Sequence, residues 1–119
     1  MFQKFEVRSV HFKADKKLQA YVRRKIGHLD RYVSRHARGS AHLEVYLKES
    51  KQKGANHSHC EITLHLPKDT IVIKENGINI YAAVDIAEAK LKQQLQKYKE
   101  LHASGKLHRK LFARLGQRG

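Results

Sequence analysis

The segment from Asn79 to Glu100 constrains the fold most, because it is the longest stretch with unbroken helical periodicity. Its apolar residues recur at steps of three and four, which at roughly 100° per residue places them along one side of an α-helix. These residues are Ile80, Val84, Ala87, Leu91, Leu95 and Tyr98. Asn79 is suited to accept a free backbone N–H at the helix start, and Gly77 allows the chain to turn before it. The pattern predicts a long helix that buries one apolar stripe.

Four lysines flank this stripe. Lys92 and Lys99 fall on one shoulder of the helix, and Lys90 and Lys97 fall on the other. Each pair is seven residues apart, so its two members lie on the same side of the helix. The helix is therefore expected to present two rows of lysine.

A second amphipathic helix is predicted from Lys16 to Val33, with Asp15 as its N-cap. Its apolar positions again follow the helical spacing; they are Leu18, Val22, Ile26, Leu29 and Val33. The opposite side is expected to carry basic residues separated by small ones, so that a phosphate backbone can approach closely. The basic residues are Lys16, Lys17, Arg23, Arg24 and Arg31, and the small ones are Ala20 and Gly27. Solvated helix surfaces usually mix charge signs, whereas nine basic and two acidic residues lie between Lys13 and Arg38.

Four strands accompany the two helices. A first strand is predicted within Phe2 to Ser9, which is rich in aromatic and β-branched residues. Ala41 to Leu47 and His57 to Leu66 alternate between apolar and polar residues, and Thr70 to Lys74 forms a short last strand. The predicted fold is α+β, a β-α-β-β-β-α two-layer sandwich in which two helices cover one face of a four-stranded sheet.

The connections are predicted from turn residues. Arg35 to Ser40 is interpreted as a basic loop that Gly39 closes. Glu49 to Asn56 is interpreted as a polar turn region with Gly54 and Asn56 as its turn residues.

The charge of the chain points to a polyanionic partner. Its 119 residues contain 25 Lys and Arg against 11 Asp and Glu, a formal net charge of +14. Such an excess favours binding to nucleic acid, and no apolar run approaches the roughly 20 residues of a membrane span. The single cysteine, Cys60, cannot form an internal disulfide. We therefore expect a cytoplasmic protein that is monomeric when free and has no membrane or small-molecule partner.

The nine histidines raise the question of a metal site or of acid–base catalysis. The densest cluster is His57, His59 and Cys60, with His65 further along the same predicted strand. Strand alternation places the three histidines on one side and Cys60 on the other, so the four side chains are not expected to converge. Surface histidines and a core thiol are the favoured interpretation. We expect no metal, no cofactor and no catalytic residue, and a small histidine-dependent nuclease is the least favoured alternative.

The last segment differs in character from the rest. Residues 1–102 are predicted to form the folded domain, and 103–119 a basic tail that is disordered when free. The tail has five Lys or Arg and no acidic residue. If it coils on binding RNA, its apolar stripe would leave four cations for phosphates, namely Arg109, Lys110, Arg114 and Arg118.

Several segments resemble the ribosome hibernation promoting factors, also called ribosome-associated inhibitor A. Tyr81-Ala82-Ala83-Val84-Asp85 and Gln94-Leu95-Gln96-Lys97-Tyr98-Lys99 are similar to the start and end of the family's last helix. His59 to Leu66 resembles its third strand, and the pattern Leu18, Tyr21-Val22, Lys25-Ile26, Leu29 and Tyr32 resembles its first helix. The likeness extends from Phe5 to about Glu100, whereas the tail has no counterpart.

The resemblance implies a short-form hibernation factor, a translation inhibitor of stressed or stationary-phase cells. It implies binding to small-subunit ribosomal RNA in the channel of messenger and transfer RNA, which stops translation sterically without any reaction. It leaves open whether ribosomes are paired or kept apart. The RNA-binding residues expected on the two helices are Lys16, Arg23, Arg24, Arg31, Lys90, Lys92, Lys97 and Lys99. A generic double-stranded RNA-binding module, which also lays two helices on a sheet, is the main alternative.

Overall fold

The structure is a computed structural model that describes residues 2, 4–10, 12–52 and 55–101. The four strands are β1 (Lys4–Val10), β2 (His42–Gln52), β3 (Ala55–Leu66) and β4 (Asp69–Gly77). Three α-helices, α1 (Lys16–Gly27), α2 (Arg35–Arg38) and α3 (Ile80–Leu101), accompany them, together with a 3₁₀ helix (His28–Tyr32). The predicted α+β order of a strand, a helix, three strands and a helix is confirmed, with α2 as an addition.

The four strands form one mixed sheet in the order β1-β2-β3-β4. β1 is parallel to β2, and the other two pairs are antiparallel. The parallel pair requires a crossover, which α1, the 3₁₀ helix and α2 supply. Because side chains alternate along a strand, the sheet has an inner face toward the helices and an outer face toward solvent.

A single hydrophobic core lies between the inner face and the helices. Alternation predicted its strand residues correctly, since Leu43, Val45, Leu47, Cys60, Ile62, Leu64 and Leu66 are all buried. The stripe of α3 is also buried, apart from Tyr98, which packs half-buried at the edge of the core. Both predicted N-caps are present. Leu18 N donates to Asp15 Oδ1 at 2.7 Å, and Ala82 N donates to Asn79 Oδ1 at 2.8 Å.

The prediction of one continuous helix from Lys16 to Val33 is wrong. α1 ends at Gly27, and the chain continues as the 3₁₀ helix, in which Leu29 remains fully buried. Gly27 itself is buried with the apolar residues of α1, so it does not lie on the basic side that the helical wheel suggested. Only Ala20, which is exposed, offers the expected close approach.

The connections are also more ordered than predicted. The basic segment after Ser34 is not a loop but the short helix α2, whose N-terminus the Ser34 hydroxyl caps by accepting from Ala37 N at 3.2 Å. The predicted turn region from Glu49 to Asn56 is mostly strand, because β2 and β3 pair as far as Gln52 and Ala55. β4 likewise extends beyond Lys74 to Gly77.

Gly77 connects the sheet to α3 by close approach. A Cβ at this position would lie 2.5 Å from the backbone nitrogen of Ala83, in the first turn of α3. The missing side chain therefore lets the end of β4 pack directly on the helix backbone, which sets the position of α3 over the sheet. Helix α3 is the longest element, yet no helix in the described part of the chain is long and apolar enough to cross a bilayer.

Candidate nucleic-acid interface

A groove runs over the helical layer, between α1 with its 3₁₀ extension on one side and α3 on the other. The rings of Tyr21 and Tyr81 meet edge to face at the start of this groove, with 4.9 Å between centroids. Further along, Lys92 Nζ lies 5.9 Å from the ring of Tyr32. The two helices therefore run side by side in the same direction, and each stretch of α1 faces a definite stretch of α3.

The start of the groove, here called the paired end, brings cations of α1 against carboxylates of α3. The Tyr21 hydroxyl donates to Asp85, and Lys25 Nζ lies 3.9 Å from the same carboxylate. One turn further on, His28 Nε2 lies 3.9 Å from Glu88 Oε1. The hydrogen bond to Asp85, followed by burial, raises the pKa of Tyr21. Protein carboxylates thus offset much of the positive charge at this end.

The other end of the groove, here called the basic end, has cations around a tyrosine instead. The Arg31 guanidinium lies 5.1 Å from the centroid of the Tyr32 ring, and one of its nitrogens donates to the Tyr32 hydroxyl at 3.3 Å. Lys92 approaches the same ring from α3. The hydrogen bond from Arg31 lowers the pKa of Tyr32, in the direction opposite to the shift of Tyr21. A tyrosine ring attracts cations without neutralising them, so the charge stays available to a ligand.

A cleft of about 350 Å³ opens at the basic end. Within the described part of the chain its lining includes four cations and no carboxylate. The lining residues are Arg31, Tyr32, Val33, Ser34, Arg35, Arg38, Tyr98 and Lys99. Arg38 is half-buried and held in place, since its Nε and Nη2 both donate to the Val33 carbonyl at 3.3 and 3.2 Å. Such a cleft matches an anionic group flanked by an aromatic or apolar surface.

The structure brings half of the predicted RNA-binding residues together. Arg24, over the Tyr21 ring at 5.7 Å, lies along the groove with Arg31, Lys92 and Lys99. Arg23 instead stacks over Phe5 of β1, at 5.2 Å from the ring centroid.

Three further predicted residues lie elsewhere. Lys16 is exposed at the first residue of α1. Lys90 and Lys97 are exposed on the shoulder of α3 that faces away from the groove, about 160° around the helix from Lys92 and Lys99.

Arg35 and Arg38 were not among the predicted RNA-binding residues, because their segment was interpreted as a loop. Ser34 three residues before Ala37 is an N-cap signal that would have identified α2 and its arginines. The predicted tail residues Arg109, Lys110, Arg114 and Arg118 lie outside the described residues.

The histidine–cysteine cluster does not converge, as strand alternation predicted. Cys60 is fully buried on the inner face, where burial raises the pKa of its thiol to about 12. His59 is half-buried on the outer face and hydrogen-bonds to Asn76 of β4. Cys60 is therefore a core thiol, with the proton bound at neutral pH.

Comparison with known proteins identifies the family. The family described as sigma 54 modulation protein / S30EA ribosomal protein matches residues 5–102. The chain belongs to this family. It is 32% identical over 96 residues to the ribosome hibernation promotion factor of Lactococcus lactis subsp. cremoris (strain MG1363). It is 28% identical over 96 residues to the protein of the same name from Staphylococcus aureus (strain COL). Each match covers 81% of this chain but 49% and 48% of the relatives, so the chain spans about half of their length.

Two solved structures share the fold. The N-terminal domain of Thermus thermophilus Protein Y superposes with a TM-score of 0.66 at 23% identity, covering 82% of this chain and 99% of that one. A ribosomal subunit interface protein from Coxiella burnetii gives a TM-score of 0.65 at 20% identity, with 82% and 98% coverage. The resemblance stated from the sequence and the α+β fold class are thereby confirmed.

Proposed function

We propose that this chain is a ribosome hibernation factor that binds small-subunit ribosomal RNA with its helical layer. Bound in the channel of messenger and transfer RNA, it blocks translation by occupying space and catalyses no reaction. The observation that carries this proposal is the basic end of the groove, where Arg31 and Lys92 lie against the Tyr32 ring and the described residues that line the cleft include four cations and no carboxylate. The names of the curated relatives support the same conclusion.

The chemistry of the basic end suits a folded RNA backbone. An arginine guanidinium can donate two parallel hydrogen bonds to the oxygens of one phosphate. A lysine ammonium group adds positive charge and needs no particular orientation. Such contacts position the protein on RNA without reading base sequence. The sheet holds α1 and α3 side by side, so the spacing of the cations is preset before binding.

A generic double-stranded RNA-binding module remains the second candidate, since it would use the same kind of basic helix surface. The leading strand β1, paired in parallel with β2 ahead of α1, separates this chain from the three-stranded sheet of that module. The family match favours the ribosome.

Sedimentation with ribosomes tests the proposal. The protein is centrifuged through sucrose with intact ribosomes, with isolated small subunits and with a free RNA duplex, and a parallel sample is added to a cell-free translation reaction. We expect it to pellet with ribosomes and small subunits and to reduce protein synthesis, with weak binding to the duplex. Equal binding to the duplex and to ribosomes would favour the generic module. Cleavage of labelled RNA that the protein catalyses would contradict a purely steric mechanism.

A charge-reversal variant and its control show whether ribosome binding depends on the basic end. Arg31→Glu with Arg35→Glu changes two exposed cations that line the cleft. Lys48→Glu with Lys74→Glu makes the same charge change on the outer face of the sheet, where both lysines are exposed. The first variant should lose ribosome binding by at least about 100-fold, since two charge-assisted contacts of 1.5 kcal/mol or more disappear. If both variants lose binding equally, net charge rather than the groove carries the interaction.

A further inference from the structure

Two histidines and two glutamates cluster on the outer face of the sheet, opposite to the helical layer. His42 of β2 lies directly across from His65 of β3, and Glu6 of β1 lies directly across from Glu44 of β2. Glu44 follows His42 by two residues, so both side chains project from the same face. Three neighbouring strands thus place four metal-binding side chains in one small area.

The Glu44 carboxylate approaches both imidazoles at distances that are too long for hydrogen bonds. Glu44 Oε1 lies 3.6 Å from His42 Nδ1 and 3.7 Å from His65 Nε2. In a tetrahedral zinc site with bonds of about 2.0 to 2.2 Å, neighbouring ligand atoms are about 3.3 to 3.5 Å apart. Glu44 Oε1 is therefore a few tenths of an ångström beyond the ligand spacing from each imidazole, and Glu6, His42 and Glu44 offer ligand atoms within 4.8 Å of one another.

The two imidazoles also have a suitable relative position. Their ring centroids are 5.7 Å apart and the ring planes are tilted by 36°, so the rings do not stack on each other. Two imidazoles bound to one tetrahedral zinc ion have centroids about 5 Å apart, given zinc–nitrogen bonds of about 2.0 Å. The side chains of His42, Glu44 and His65 are 31%, 26% and 46% exposed, which leaves room for a water molecule as the fourth ligand.

Glu6 fits a supporting role better than a ligand role. Its Oε2 already accepts from Arg8 Nη2 at 3.2 Å and lies 3.9 Å from His42 Nε2. If His42 binds an ion through Nδ1, its Nε2 carries the proton and faces this carboxylate. A carboxylate behind a metal-bound imidazole is the usual arrangement that orients the ring and strengthens its bond to the metal.

We propose that His42, Glu44 and His65 form a binding site for one divalent transition metal ion of the zinc class, with Glu6 as the positioning residue of His42. Imidazole nitrogens with a single carboxylate favour such ions over Mg²⁺ or Ca²⁺, which prefer oxygen ligands. The ion would tie β2 to β3 on the face that the proposed RNA-binding groove does not use. The site is independent of the proposed function.

Calorimetric titration of the full chain with zinc chloride tests the site. Because other histidines of the chain can bind zinc weakly, each variant is compared with the wild type. Glu44→Gln and His65→Gln should abolish binding of one zinc ion or weaken it by well over tenfold. Glu6→Gln should weaken zinc binding by about tenfold, as expected for a carboxylate that hydrogen-bonds to a metal-bound imidazole. His59→Gln is the matched control. His59 lies on the same strand and face as His65 but six residues and about 20 Å away. The His59→Gln variant should therefore bind zinc like the wild type.

Cobalt substitution gives a second readout. The wild type and His59→Gln should develop the intense visible bands of tetrahedral Co²⁺, and Glu44→Gln should not. Far-UV circular dichroism and ribosome sedimentation should be unchanged for Glu44→Gln, which separates loss of the metal site from loss of the fold or of RNA binding. The proposal is overturned if the wild type, Glu44→Gln and His65→Gln bind zinc alike, or if His59→Gln loses the ion as they do.

Discussion

The paired end and the basic end of the interhelical groove lie between the same two helical segments but differ in their electrostatics. At the paired end, Lys25 and His28 face Asp85 and Glu88. At the basic end, Arg31 and Lys92 face the ring of Tyr32. The difference comes from α3, in which Asp85 and Glu88 come before all four of its lysines.

If the groove binds RNA as proposed, this comparison indicates which cations contact the phosphates. A cation beside a carboxylate gives up an existing ion pair when it moves to a phosphate, and the carboxylate also repels the RNA. A cation over a tyrosine keeps its charge and gains a contact when phosphate arrives. The number of lysines and arginines in a helix is therefore a poorer guide to RNA contacts than the neighbours that the fold supplies.

The sharpest test compares the two lysine rows of α3. Lys92→Ala with Lys99→Ala should weaken ribosome binding by about 100-fold, since two charge-assisted contacts of about 1.5 kcal/mol each are lost. We expect a log–log salt slope of roughly −4 to −5 for about six phosphate contacts in the wild type, and a slope shallower by about 1.5 in this variant. Sedimentation or filter binding between low and moderate salt gives both values.

Lys90→Ala with Lys97→Ala is the matched control, with the same charge loss, spacing and helix. Because this pair lies on the shoulder away from the groove, we expect a loss of less than about tenfold, from long-range attraction alone. Equal losses in the two variants would mean that the groove does not orient the protein on RNA.

Removing a carboxylate from the paired end should change ribosome affinity less, and should raise it. Asp85→Ala removes the carboxylate that faces Tyr21 and Lys25. Ribosome affinity should rise by up to about threefold, as one unfavourable charge disappears, while stability falls by about 0.5 kcal/mol, in the range for exposed pairs. Denaturant unfolding and sedimentation measure the two changes. A large loss of ribosome binding would show that the paired end is itself a contact surface.

The two tyrosines report the same contrast spectroscopically. In an alkaline absorbance titration, Tyr32 should lose its proton before Tyr21, because the pKa of Tyr32 is lowered by Arg31 and that of Tyr21 is raised by Asp85. Tyr21→Phe and Tyr32→Phe assign the two steps, and Asp85→Ala should bring the Tyr21 step back toward the ordinary value of 10.0. A reversed order would contradict the assigned contacts.

The pH dependence of stability follows from these shifts. The folded state holds the Tyr21 proton more tightly than the unfolded state, so this stabilisation is present below pH 10 and is lost as the pH rises through the folded pKa. Tyr32 acts in the opposite sense, since its lowered pKa adds stability above pH 10 and removes it as the pH falls through the folded pKa. Tyr21→Phe should therefore flatten the alkaline loss of stability, and Tyr32→Phe should steepen it.

Most of the secondary structure was predictable because it depends on neighbours in the chain. Helical spacing identified the buried side of α3, and alternation identified the inner residues of β2 and β3, since each periodicity follows from local backbone geometry. The caps at Asp15 and Asn79 were equally readable. The misassigned region was 28–38, where Gly27 ends α1 and the 3₁₀ helix and α2 follow. There Leu29 stays fully buried in the core, as the spacing predicted, although the chain continues as a 3₁₀ helix.

The sequence by itself determined the α+β order, the family and the excess of positive charge. Only the tertiary structure decided which charges meet. That Lys92 rather than Lys90 joins Tyr32 depends on how α3 is rotated over the sheet. That Glu6, Glu44 and His65 surround His42 depends on the register of three strands. These residues are far apart in the chain, and no local pattern encodes their distances, because strand register and helix docking are set by the packing of the whole core.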